Sequence, residues 1–511
     1  MSDNIEANKR IAKNTLLLYI RMGVMMIISF FTARITLEAL GVVDYGINNV
    51  VGGLVSMFSL ISSSLSSSVS RFITFGLGKG DKNELNTIFS TSVNIHIILS
   101  IIVVIAIETF GIWFLNNKMV IPVERLTAAH WVLQSSTVLF VVGLLSVPYN
   151  AAIIAHERMD VYAYFTLFDA FARLAIIFAI KYYGGDKLIL LAVISLIPSL
   201  IKQFYYWHYS KRNFEECTYH AIWDKRVFKE MFGFAGWNFF GNSAYILNTQ
   251  GVNMLINIFF GVTLNAARGI ATQVEGIVGQ FVGNFTIAIN PQITKSYAAK
   301  NYDYTYYLIK SGALYSCYLM LIIIVPLIME MKSILTLWLG EVPQYATTFT
   351  RLTLCSSFVI AIGNSLLTAI LASGNIKKYQ IIITLAGFGV FPLTYIAFKF
   401  GLPPETAYII YITIYSILIF IRIYLAREII NLDIRRYLKE VILKITYISI
   451  ITAIPPLIIS LFFEESYMRT FIAGPFVMLT TIAIIYTLGM GNKERKFAKE
   501  KIRNIINRIH K

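Results

Sequence analysis

The chain has 511 residues, of which 57% are hydrophobic and only 14% charged, and its formal net charge is +16. Soluble domains are roughly a quarter charged, so this composition cannot clothe the water-facing surfaces that a chain of this length would need. Aromatic residues at 14%, with no running glycine or charge repeat, exclude a disordered or fibrous chain. What remains is a polytopic membrane protein. The basic excess then belongs to loops facing the cytoplasm rather than to a nucleic-acid surface, and no nucleic-acid partner is expected. Cys217, Cys317 and Cys355 are too scattered for a disulfide framework or a CxxC metal motif.

A hydrocarbon core about 30 Å thick needs about 20 apolar residues per helix. Charge-free runs near or above that length recur at 85–107, 126–155, 231–267, 352–376, 379–398, 445–463 and 470–492. They do not alternate as barrel strands would. With a few charges allowed inside spans, the sequence predicts about fourteen transmembrane helices. They fall at 12–38, 45–75, 86–115, 126–155, 161–182, 188–208, 229–260, 265–296, 304–329, 346–373, 378–399, 405–425, 440–462 and 470–489. The expected fold class is an all-α polytopic membrane protein. Pro148, Pro198, Pro291, Pro326, Pro392, Pro455, Pro456 and Pro475 predict kinks, which membrane helices tolerate.

Alternate segments, starting with the N-terminus, hold 27 Lys and Arg against 6 on the others, which puts both termini in the cytoplasm. Arg21 interrupts the first apolar stretch, which therefore reads as a retained signal anchor rather than a cleaved signal peptide. The longest outer stretch is expected at 330–345, carrying only Glu330, Lys332 and Glu341. The basic tail at 493–511 places Ile502, Ile505, Ile506 and Ile509 at helical spacing. It reads either as an interfacial helix on an anionic leaflet or as a solvated tail.

Six spans after the first helix the chain starts again. Gly41-Val42 and Ile73-Thr74 recur as Gly261-Val262 and Ile293-Thr294, an offset of 220 residues. Ala152-Ile153-Ile154-Ala155 recurs as Ala369-Ile370-Leu371-Ala372, an offset of 217. An even-numbered repeat keeps its orientation, so two six-helix lobes related by a parallel pseudo-two-fold axis are expected, as in transporters. The expected organisation is an N-lobe at 1–210, a cytoplasmic linker at 211–228, a C-lobe at 229–430, two further helices at 431–490 and a basic tail at 491–511.

Thr32-Ala33-Arg34-Ile35 followed by Leu40-Gly41-Val42-Val43-Asp44-Tyr45-Gly46 resembles the end of the first helix in bacterial polysaccharide and lipid-linked oligosaccharide exporters. So do Arg71-Phe72-Ile73-Thr74 with Gly78-Lys79-Gly80-Asp81, and Val147-Pro148-Tyr149-Asn150-Ala151-Ala152. These exporters, the O-antigen flippase type, belong to the multidrug/oligosaccharidyl-lipid/polysaccharide exporter superfamily. The resemblance implies a V-shaped bundle that flips undecaprenyl-pyrophosphate-linked glycans across a bacterial inner membrane. Other branches of the superfamily flip a peptidoglycan precursor lipid or export drugs by cation antiport.

Ionisable residues within spans are costly and mark candidate functional positions. Arg21 and Arg34 lie in the first expected helix, Arg71 in the second, and Arg268 and Glu275 in the eighth. Glu108 lies in the third, and Asp169 and Arg173 stand four apart in the fifth. Arg34, Arg71 and Arg268 could equally snorkel to an interface, and Asp169–Arg173 could be a neutralising pair within one helix. Arg21 lies too far in for easy snorkelling. Asn238, Asn242, Asn248, Asn253 and Asn257 run along the seventh helix, and Asn242 and Asn253 are the named candidates for sugar hydroxyls. Interhelical amide bonding explains the same stripe. Guanidinium groups grip phosphate oxygens in a two-pronged geometry, so Arg21, Arg34, Arg71 and Arg268 are expected to shelter an anionic lipid headgroup. A cation exporter would need buried carboxylates instead.

The leading expectation is therefore a flippase for lipid-linked oligosaccharide, the repeat unit of an O-antigen, capsule or exopolysaccharide. It would work by alternating access and take energy from a Na+ or H+ gradient or the membrane potential. Asp169, Glu108 and Glu275 are the coupling or structural charges. Its partners would be the glycan lipid, the bilayer, and the polymerase and glycosyltransferases of the same pathway. A multidrug cation antiporter is the alternative, and a membrane-embedded glycan polymerase the third reading. No nucleotide motif, catalytic constellation or metal-ligand cluster is visible, so neither catalytic residues nor a cofactor are expected.

Overall fold

A computed structural model describes residues 2–79, 82–156, 158–373, 377–491 and 495, with side chains from Gly23 onward except at scattered helical positions. The Arg21, Arg71 and Asn238 side chains and nearly all of the tail expected at 493–511 lie outside the described residues.

Among the described residues every regular element is helical. In chain order these are α1 Ser2–Ser56, α2 Ser59–Lys79, α3 Lys82–Ala106, α4 Ile112–Asn117, α5 Leu126–Ala155, α6 Met159–Lys181, α7 Lys187–Ile194, α8 Leu196–Asn213, α9 Lys225–Ile246 and α10 Val252–Phe260. They continue as α11 Val262–Ala298, α12 Tyr302–Leu339, α13 Ala346–Ile362, α14 Asn364–Ala372, α15 Lys377–Phe388 and α16 Val390–Lys399. The last four are α17 Thr406–Ile430, α18 Ile434–Tyr437, α19 Leu443–Phe462 and α20 Tyr467–Ile484. Single π-turns join α3 to α4 at Ile107–Gly111, α9 to α10 at Leu247–Gly251 and α18 to α19 at Leu438–Ile442. Helix starts carry the expected acceptors: Asp186 takes the N–H groups of Leu188 and Ile189, Asp224 those of Arg226 and Val227, and Ser466 that of Arg469. Bonds from the Val227 and Arg226 backbone hold the Asp224 carboxyl below the usual carboxylate range.

Among the described residues ten helical stretches are long and apolar enough to cross a membrane, and the chain is a multi-pass membrane protein. The ten are Gly23–Ser56, Lys82–Asn117, Val123–Ala155, Lys187–Asn213, Tyr302–Leu339, Ala346–Ala372, Lys377–Lys399, Thr406–Ile430, Ile434–Phe462 and Tyr467–Gly489. Helices α6, α9 with α10, and α11 occupy other expected positions without being among the ten, while the second expected span at 45–75 is divided at Met57-Phe58 between the end of α1 and α2.

Two glycines punctuate this series. Gly41 breaks α1 with φ 77° and ψ 171°, and Gly261 separates α10 from α11 with φ 82° and ψ 179°. Only glycine visits this region without strain. The two residues are the first pair of the 220-residue offset, so the sequence match is also a match in backbone geometry. A Cβ on Gly41 would meet nothing within 4 Å, so Gly41→Ala tests backbone strain alone. Its expected cost is about 1–2 kcal/mol, read as a lowered thermal midpoint, and an unchanged midpoint would contradict the assigned φ.

The chain divides into two compact units: Met1–Gly269 with Phe391–Pro404, and Ile270–Val390 with Glu405–Lys511. In the first, α1 packs on α6, α2 on α5 and α9, and α5 on α8. The stretch after α8 is docked rather than loose. Glu216 and Cys217 are buried, the Phe214 ring stacks on His156 at 4.0 Å, and His156 Nε2 lies 2.6 Å from Glu216 Oε1. Asn86 Nδ2 donates to the carbonyls of Glu216 and Thr218 at 3.1 and 2.7 Å, which satisfies backbone acceptors that a buried turn would otherwise strand. Burial pushes the Cys217 thiol well above its ordinary range, so it is no ready nucleophile.

In the second unit α12 is the hub, packing on α13, α19 and α20. It kinks at Glu330, just past the expected end at 329, and then continues as helix to Leu339. The sequence puts Glu330 and Lys332 in the outer stretch expected at 330–345. Glu330 instead lies inside the helix, 1% exposed, against Arg469 Nε at 2.8 Å. With its charge matched, the apolar run Ile334–Leu339 stays helical. At the other end of α12, Lys310 Nζ lies 2.7 Å from Glu440 Oε2. Arg436 reaches the same carboxylate at 3.2 Å and covers the Tyr306 ring at 4.3 Å. The α18–α20 segment is thus held to α12 by ion pairs at both ends.

Candidate functional site

The segment after the Gly41 break is a joint. Arg125, just before α5, donates Nε and Nη2 to the two oxygens of Asp44 at 2.8 and 2.6 Å, and Nη1 to Asp186 at 2.6 Å. One guanidinium so ties three connections of the first unit together: the Gly41 break, the α4–α5 loop and the start of α7. It also holds the Asp186 carboxyl below its ordinary range. Two residues on, Gly46 meets the Val262 backbone so closely that a Cβ would overlap the Val262 carbonyl.

Beside that contact lies a closed amide network. Asn253 Nδ2 donates to Asn49 Oδ1 at 3.2 Å, and Asn265 Nδ2 donates to Asn253 Oδ1 and its carbonyl at 2.9 and 2.8 Å. Asn257 Nδ2 donates to Asn265 Oδ1 at 3.1 Å, while Asn257 Oδ1 accepts the Val120 N–H at 2.9 Å. Asn253, Asn257 and Asn265 are all buried. Asn253 therefore sits in interhelical amide bonding. Arg268, 8% exposed, donates Nη2 to the Thr249 carbonyl at 3.0 Å in the π-turn Leu247–Gly251. A π-turn releases carbonyls from the helical ladder, and the guanidinium takes one of them. Asn242, on α9, is exposed.

The other sequence candidates are spread through both units. Arg34 is exposed on α1, and Glu108 is exposed on the π-turn Ile107–Gly111. Glu275 accepts from Ser357 Oγ at 2.6 Å in the second unit. Asp169 and Arg173 do pair, Oδ2 to Nε at 3.1 Å. They are not alone, because Lys202 of α8 places Nζ 3.7 Å from Asp169 Oδ1. The structure thus brings Arg268 to the π-turn just before Asn253 and joins Lys202 to Asp169 and Arg173.

Sequence reasoning missed Lys202 and Arg422. Arg422, in α17, donates Nη1 to the Gly363 carbonyl at 2.9 Å and lies 5.9 Å from the centre of the Tyr379 ring. Both stand inside expected spans, at 188–208 and 405–425, and a plain census of charges within spans would have raised them. Glu330 is matched by Arg469, Asp44 and Asp186 share Arg125, and Asp169 and Glu440 each face two cations, whereas Arg422 has carbonyl and ring partners only among the described residues. Among the described residues no three His, Cys, Asp or Glu side chains could hold a metal ion together.

No protein-family model and no curated protein matches the chain by sequence. Solved structures do match. The lipid II flippase MurJ, in an inward closed conformation, superposes with a TM-score of 0.68 at 15% identity, covering 92% of this chain and 99% of its own. An inward-facing multidrug resistance MATE transporter of the MOP superfamily gives 0.61 at 10% identity, covering 80% and 97%. A MOP superfamily transporter from Pyrococcus furiosus, described as having a binding pocket of reverse polarity, gives 0.55 at 12% identity, covering 82% and 95%. This chain therefore has the fold shared by these flippases and multidrug transporters.

Proposed function

We propose that this chain is a flippase, not an enzyme, which carries a lipid-linked oligosaccharide with a pyrophosphate headgroup across a bacterial inner membrane by alternating access. Fourteen helices would cross, in two six-helix lobes with two helices appended, and both termini would face the cytoplasm. The observation that carries the reading is the sign of the embedded charge within a transporter fold. Arg422 and the clusters at Asp169 and Glu440 leave positive charge over, against the one negative charge left where Asp44 and Asp186 share Arg125. Positive charge in a low-dielectric wall lowers the cost of moving phosphate and raises that of moving a cationic drug. Arg21, Arg34, Arg71 and Arg268 are the proposed headgroup contacts and Asn242 a sugar contact, with Asn253 supporting the turn beside Arg268. The glycan would be an O-antigen, capsule or exopolysaccharide unit, supplied by glycosyltransferases and consumed by a polymerase.

A cation antiporter is the second reading, favoured by Glu275, a carboxylate hydrogen-bonded to Ser357, and by the multidrug transporters that share the fold. The two readings separate in a cell that depends on this gene for surface glycan. Arg21→Ala is expected to lower surface glycan about tenfold, the weight of one charge-assisted phosphate contact, with the protein still present in the membrane. Wild-type display from the variant would refute a cationic headgroup site. Resistance to cationic drugs on overexpression, without any effect on glycan, would establish the antiporter.

A further inference from the structure

The group of Asp169, Arg173 and Lys202 lies near the middle of α6 and α8, and α8 belongs to the stretch Lys187–Asn213, which is long and apolar enough to cross a membrane, where charge is costly. Its arithmetic does not close: one carboxylate faces two cations. Neither cation is well served. Lys202 Nζ stands 3.7 Å from Asp169 Oδ1, beyond hydrogen-bond reach, and has no nearer acceptor among the described residues, although its side chain is only 24% exposed. Arg173, whose side chain is 55% exposed, spends Nε on Asp169 at 3.1 Å, and its Nη groups are left open at the surface without an acceptor among the described residues. Asp169 itself is 15% exposed. Phe168, Phe171, Phe204 and Tyr205 are exposed on the same two helices, so the charges are set within an apolar surface rather than a watery one.

We infer that Arg173 and Lys202 form a phosphate-binding site for a lipid headgroup at mid-membrane, with the Asp169 carboxylate holding the place of the anion until it arrives. A carboxylate and a phosphate present the same kind of charged oxygen acceptor to guanidinium and ammonium donors. Asp169 keeps the two cations poised and limits their cost when no ligand is present. An incoming phosphate supplies the missing negative charge and the missing acceptors, and competes with Asp169 for both. The inference rests on the reading of the cargo as phosphate-bearing and adds a site outside the four arginines of that reading.

The competition gives the test a sign that a structural ion pair would not show. The full chain in nanodiscs is titrated with a fluorescent polyprenyl pyrophosphate, with inorganic pyrophosphate, and in discs made with or without phosphatidylglycerol. The combined Arg173→Ala and Lys202→Ala variant is expected to bind polyprenyl pyrophosphate about tenfold more weakly, and Lys202→Arg to keep binding. Asp169→Asn is expected to bind it severalfold more tightly, because the internal competitor is gone. Loss of folded protein cannot produce a gain in affinity. Equal weakening with inorganic pyrophosphate shows that phosphate is the group recognised. A response confined to phosphatidylglycerol assigns the site to bulk membrane lipid and overturns its role toward the cargo. Unchanged or weaker binding by Asp169→Asn, while wild type binds normally, overturns the site and leaves the flippase reading standing. Failure of wild type to bind polyprenyl pyrophosphate at all overturns the flippase reading instead.

Discussion

Glu330→Ala is expected to destabilise the second unit by about 3–5 kcal/mol, the range found when one partner of a buried ion pair is removed. Glu330 and Arg469 have side-chain exposures of 1% and 7%, with Nε–Oε1 at 2.8 Å, and Thr470 Oγ1 donates to the other Glu330 oxygen at 2.8 Å. Arg469 Nη1 also donates to the Phe463 carbonyl. Removing the carboxylate leaves a buried guanidinium without its charge partner, and it releases α20 from α12 at the point where α12 is already distorted, with Glu330 at φ −96° and ψ 15°. Arg469→Ala should cost about as much. The double variant Glu330→Met with Arg469→Leu removes both charges and restores apolar volume, so it should recover most of the loss. A double-mutant cycle on thermal unfolding in detergent measures this, and additive single effects would show that the two side chains do not share a buried contact.

That pair also shows where sequence reading stops. Charge-free runs place helices well, because a bilayer imposes one length on every span. Gly41 and Gly261 could be matched because φ near +80° with ψ near 180° is a conformation that glycine alone adopts without strain. The ends of helices are less legible where a charge finds a partner distant in sequence. Glu330 and Arg469 are 139 residues apart, and each alone looks like a loop residue. Lys202 is visible as a charge within an expected span, but its partner Asp169 reaches it only because α6 packs on α8. The asparagine stripe has the opposite difficulty. Helical spacing shows that Asn253 and Asn257 share a face. It cannot show that Asn49 and Asn265, from other helices, complete the network.

Gly46→Ala is expected to be the most damaging single methyl in the chain. The added Cβ would fall inside the Val262 carbonyl oxygen and 2.9 Å from its carbon, both of them backbone, so no side-chain rotation relieves the overlap. Gly53 and Gly269 line the same junction. There a Cβ would meet Gln250 Oε1 at 2.9 Å and Asn49 Nδ2 at 2.6 Å, and those contacts are with side chains that can turn. Small residues let membrane helices approach to backbone contact, and separating them by one methyl forfeits both packing and the bonds that depend on it. Here those bonds are the amide network, since Asn49 lies one turn beyond Gly46 and Asn265 one turn beyond Val262. The expected loss for Gly46→Ala is about 2–4 kcal/mol, combining overpacking of about 1–3 kcal/mol with roughly 0.6 kcal/mol for each interhelical bond that lapses. Gly53→Ala should lose less, because Gln250 can swing aside. The order of thermal midpoints, wild type above Gly53→Ala above Gly46→Ala, is the measurement. A Gly46→Ala protein as stable as wild type would mean that α1 and α11 do not meet backbone to backbone.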